Sequence, residues 1–291
     1  MTAVTDIAAP ARPGRDRGAE YAEFNPLGSV AATIVIGAGL YFAARESAVA
    51  LLVAIAVVQG LLAFAWVFGT SLPGRWGGLV LAALAAAGAD VCVSVWPHGR
   101  LGTLLAVLGL AVPLMFLHQL ARGAARVQLV ASLSAIALLV VAEVALPALL
   151  QLRHEFNHPD IGGPVTSAVV LSIEGALVVG YFTDLLLPTP RFDPAVPRGL
   201  PALVLSAATG AALGYLVLHD EAAFEHGRAA FVGGALGALA GLVAVAITFV
   251  LHTTTARPRR LVGALRAVLG PVLPLCLIAP AAFLLCLAVR S

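Results

Sequence analysis

The sequence predicts an all-α, polytopic integral membrane protein of about nine transmembrane helices with its N-terminus inside, and three observations predict it. Of its 291 residues, 60% are hydrophobic and only 11% are charged, at a mean hydropathy of +0.99; a soluble domain is about half apolar and about a quarter charged. Nine apolar stretches fall at 27–44, 48–69, 77–96, 101–120, 128–151, 164–187, 200–218, 230–252 and 268–289. Each has the roughly 17–25 residues a helix needs to cross about 30 Å of hydrocarbon while satisfying its own backbone. The third observation is where the arginines fall.

All 17 basic residues are Arg. Each crossing swaps the side, and alternate loops then carry 12 Arg on the N-terminal side against 5 on the other. Positive charge accumulates on the cytoplasmic side, so the N-terminus is expected inside, the C-terminus outside, and the number of spans odd. Ala, Arg and Pro dominate residues 1–26, which read as a flexible cytoplasmic tail ahead of a transmembrane domain at 27–291. The length and scattered acids of that stretch argue against a cleaved signal peptide. This topology and composition read as a multi-pass protein of a bacterial inner membrane.

The breaks between stretches are short: Arg45-Glu46, 71–75, 97–100 and 121–126. Neighbouring spans are therefore expected as antiparallel hairpins. The first hairpin has the thinnest separator, and the last span contains Pro271, Pro274 and Pro280, each of which removes a backbone donor and is expected to break the helix. Cys92, Cys276 and Cys286 all lie inside apolar runs, which excludes a disulfide framework or a Cys-rich zinc module and makes them small core residues. A net charge of +2 gives no nucleic-acid footprint.

Charge inside hydrocarbon is costly unless paired, hydrated or protonated, so intramembrane acids are functional candidates. Asp90 and Glu143 fall in the outer halves of spans three and five, Glu174 near the middle of span six, and Asp184 close to its inner boundary. The first three could carry a proton or cation in a small-solute or ion transporter. Asp184 reads as an interfacial residue. The outer loops hold five of the seven histidines, and His154-Glu155-Phe156-Asn157-His158 matches H-E-x-x-H, the spacing that sets two imidazoles on one helical face for zinc. Pro159 disfavours helical geometry at His158, and a third ligand would have to come from Asp160, His219, Asp220, Glu221 or His226 across loops. A membrane metalloenzyme is thus one alternative function.

Gly233, Gly237 and Gly241 repeat every four residues in span eight, with Gly210 and Gly214 in span seven. Small residues so spaced let helix backbones approach closely, either within the chain or in a homodimer. No phosphate-binding glycine loop, nucleophile elbow or paired-carboxylate arrangement is present, and no motif calls for a cofactor.

Val169-Val170-Leu171-Ser172, continuing through Gly175, Gly180 and Phe182 to Pro190 and Pro194, resembles the phosphatidate cytidylyltransferase (CDP-diacylglycerol synthase) family over about 30 residues. The resemblance implies catalytic loops on the cytosolic side after this span and after the next but one, where the arginine count independently places 188–199 and 253–267. The family's catalytic residues are missing. Ile173 stands where the resemblance implies Asp, Ala195 and Val196 stand where it implies two Lys, and 247–274 holds no counterpart of the metal-binding acids. Nucleotidyl transfer needs carboxylates for divalent metal and cations for phosphate. The resemblance therefore implies a non-catalytic relative on the same scaffold, a pseudoenzyme that interacts with membrane lipids or acts in assembly. Arg191, Arg198, Arg257, Arg259 and Arg260 are its candidate binders of anionic headgroups or phosphate.

Overall fold

The computed structural model describes residues 26–70, 75–97, 100–123, 128–156, 162–187, 189–192, 198–218, 224–253 and 260–290. The expected tail lies outside them apart from Pro26. Among the described residues the chain forms α1 (Pro26–Glu46), α2 (Ala48–Gly69), α3 (Arg75–Val95), α4 (Arg100–Ala121), α5 (Leu129–Ala145), α6 (Ala148–Glu155), α7 (Gly162–Leu186), α8 (Leu200–Leu213), α9 (His226–Thr253) and α10 (Arg260–Arg290), with a π-helical turn at Gly214–Leu218. They supply nine spans long and apolar enough to cross a membrane, so the all-α, multi-pass reading holds. The only β feature among the described residues is an isolated antiparallel bridge between Arg191 and Gly199.

The thin first separator is a real helix boundary. Ser47 is extended, and its side chain accepts the Ala50 N–H at 3.0 Å, which caps α2 by satisfying one of the amides a helix start leaves open.

Two spans depart from expectation. The fifth is split: α5 ends at Ala145, Leu146 and Pro147 form a turn, and α6 resumes at Ala148. The last is not split, since α10 runs unbroken through Pro271, Pro274 and Pro280. Each proline withholds the amide that residue i−4 would accept from, and packing against neighbouring helices keeps such helices intact in a membrane. At 31 residues, α10 is about 46 Å long by helical rise, well beyond the hydrocarbon thickness.

The centre of the bundle is α7 with α10. Helix α7 packs on α1, α6, α8, α9 and α10, while α10 meets α1, α2, α5, α6, α7 and α9. Helix α4 sits at the edge and leaves Leu105, Leu110, Phe116, Leu117 and Leu120 exposed, a surface suited to acyl chains.

The glycine stripe of α9 packs against α8. A Cβ on Gly233 would lie 2.8 Å from the Gly214 Cα, and one on Gly237 would lie 3.1 Å from the Gly210 Cα, so both backbones occupy the space a side chain would fill. The stripe is filled within the chain, and a homodimer would need a different surface from Gly233, Gly237 and Gly241. A Gly237→Leu substitution is expected to force the two helices apart. Overpacking of this kind costs about 1–3 kcal/mol or more, to be read as a lowered unfolding midpoint in detergent; an unchanged midpoint would contradict the close packing.

A candidate functional site of buried acids at the bundle centre

Glu143 belongs to α5, four residues before Pro147. A regular helix would give the Glu143 carbonyl to the amide of residue 147, and proline has none. Gln59 of α2 supplies the missing donor: its Nε2 lies 3.0 Å from the Glu143 carbonyl oxygen. The same Nε2 lies 3.4 Å from Oδ1 of Asp90 on α3. One amide therefore ties three elements together. Its own Oε1 is buried with no hydrogen-bond partner.

The Glu143 side chain is fully buried, and neither carboxyl oxygen has a hydrogen-bond partner. Asp90, half-buried and five residues from the end of α3, reaches the same Gln59 amide. Among the described residues, no cation compensates the pair.

Glu174 lies twelve residues from either end of α7, or about 18 Å along the axis each way. It is 4% exposed, and both carboxyl oxygens lack hydrogen-bond partners. Gly37 of α1 makes its room, because a Cβ there would stand 2.9 Å from the Glu174 Cβ and Cγ. Cys276 of α10 is fully buried. Its carbonyl is one of those that a proline, Pro280, leaves without an intrahelical donor.

Towards the Arg-rich end of α7 the acids are matched by a base. Asp184, two residues from the end of α7, is buried within the protein. Its Oδ1 accepts the Gly199 N–H at 3.0 Å, and its Oδ2 lies 3.6 Å from Nη1 of Arg198, both side chains 3% exposed. Arg198 also donates from Nε to the Thr248 hydroxyl of α9 at 3.0 Å and stacks 4.3 Å above the Tyr181 ring. Tyr181 is in turn within electrostatic range of Glu174. The interior polar line thus consists of two joined sets, Gln59 with Asp90 and the Glu143 backbone, and Arg198 with Asp184, Thr248 and Tyr181, and of Glu174 against Gly37.

The other predicted residues are not drawn into this line. Arg198, expected to bind headgroups, is engaged inside the protein. Arg191 is exposed beside its bridge to Gly199, Arg260 opens α10, and Arg257 and Arg259 lie outside the described residues. His154 lies in the last turn of α6, but His158, Asp160, His219, Asp220 and Glu221 lie outside the described residues. Among those that are described, no three His, Cys, Asp or Glu side chains cluster for a metal.

Sequence reasoning missed Gln59, Tyr181, Thr248 and Gly37. A signal existed for Gln59: a lone amide in an apolar span, together with a proline four residues after an intramembrane Glu. Comparison with family models, curated proteins and solved structures finds no match for this chain.

Proposed function

We propose that the chain carries protons across the membrane, with Glu143 and Glu174 as successive carriers. The observation that supports this most is the pair itself: two carboxyls in the membrane interior, buried, without hydrogen-bond partners, and with no described cation to neutralise them. A structural carboxyl in hydrocarbon is normally satisfied by a donor, because an unpaired buried polar group costs several kcal/mol. Groups left open in this way instead suit a load that arrives and leaves. The proton is the load Glu174 fits. Gly37 packs against its Cβ and Cγ, and a single carboxyl by itself offers too few oxygens to replace the hydration shell of a metal ion. Transfer between carboxyls farther apart than a hydrogen bond runs through a bridging water.

The lipid-headgroup reading on a cytidylyltransferase-like scaffold is supported less. Arg198 is occupied by Asp184, Thr248 and Tyr181, which leaves Arg191 as its exposed described representative.

The test is proton uptake by proteoliposomes holding the full chain, under an imposed pH gradient with a potassium ionophore to compensate charge. Uptake above that of empty liposomes is expected. Equal rates would overturn the proposal.

A further inference from the structure

We propose that Asp90, Gln59 and Glu143 form a binding site for a monovalent metal cation, with sodium as the ion its chemistry fits. The three residues come from α3, α2 and α5, and the Gln59 amide fixes their juxtaposition through its contacts to Asp90 at 3.4 Å and to the Glu143 backbone at 3.0 Å. An acidic pair alone would say little. Here Glu143 is fully buried with both oxygens open, and the Gln59 Oε1, on a residue 2% exposed, is open as well.

Those three atoms and the second Asp90 oxygen are hard donors of the kind an alkali cation takes in place of water. Calcium takes about six to eight oxygens and magnesium keeps several waters; Glu143, Gln59 and Asp90 offer fewer, which favours a monovalent ion. Charge agrees. With one of the two carboxyls protonated, a single sodium ion makes the cluster neutral, and neutrality is what the surrounding hydrocarbon demands.

Proline gives the site its shape. Because Pro147 cannot donate, the Glu143 carbonyl takes the Gln59 Nε2 instead, and the other atom of that amide is left without a partner. The inference extends the proton reading at one point, since Glu143 would give up its proton to sodium, but ion binding itself does not depend on transport.

The experiment is equilibrium binding of radiolabelled sodium to the purified full chain in nanodiscs, with choline holding ionic strength constant. Saturable binding of one ion per chain is expected in wild type. Affinity should fall by more than about tenfold, equivalent to about 1.4 kcal/mol, in both Glu143→Gln and Gln59→Leu, and stay unchanged in Glu174→Gln. No saturable binding by wild type overturns the proposal, as does binding unaltered by Glu143→Gln or displacement of label by calcium in preference to sodium. Sodium binding by a chain that moves no protons would sink the proton reading alone; proton uptake without sodium binding would sink only this one.

Discussion

Proteoliposomes carrying Glu174→Gln are expected to take up protons about a hundredfold more slowly than wild type. The amide matches the carboxyl in shape, fits the same space against Gly37, and adds no charge to the interior, so the variant should fold. What it lacks is a group that accepts and releases a proton. Without that foothold, the proton crosses the middle of the bundle at something near the cost of a charge at the bilayer centre, about 2.5–3.5 kcal/mol on insertion scales. Each 1.36 kcal/mol on a barrier is a factor of about ten in rate, which sets the expected size. Glu143→Gln should show a comparable loss, because the two acids are in series. Uptake within a factor of about two of wild type, in a variant with an unchanged elution profile, would remove Glu174 from the path.

Replacing Arg198 by alanine is expected to give the largest loss of stability. It leaves the Asp184 carboxylate buried with the Gly199 amide as its remaining described partner, and it removes the bond to Thr248 and the stack on Tyr181. Breaking one side of a buried ion pair costs about 3–5 kcal/mol, whereas replacing both partners with apolar residues of similar volume is often neutral. The variant is therefore expected to unfold at markedly lower denaturant or temperature, and Arg198→Met combined with Asp184→Leu should recover most of the difference. A headgroup-binding role for Arg198 makes the opposite forecast, namely loss of anionic-lipid retention with stability intact. Measuring both quantities on the same two variants separates the roles.

How far the sequence could be read depended on which constraint acted on each residue. Nine spans, their short connections and their polar ends were legible because a lipid bilayer imposes a minimum apolar length on any helix that crosses it. The Ser47 cap went unread, although a serine at a thin boundary is the residue type that caps a helix start. What Asp184 pairs with was not legible, because Arg198 lies beyond the end of α7 in the chain and only the fold returns it. The prolines in the last span were expected to break it, and Pro147 was not read at all. Pro147 divides a span and three prolines in α10 do not, because a broken ladder survives only where neighbouring helices or side chains replace the lost bonds, and those neighbours are distant in sequence.

By itself, then, the sequence determined that this chain crosses a membrane about nine times, and that four acids lie within the spans at particular depths. Only the tertiary structure decided which of them meet. In water, an amphipathic stripe tells a helix how to turn about its axis; in these spans core and lipid are both apolar, so the rotation of α2, α3, α5, α7 and α10 is set by small residues and polar contacts instead. Gly37 set against Glu174, and Gln59 held between Asp90 and the carbonyl freed by Pro147, are contacts of that kind.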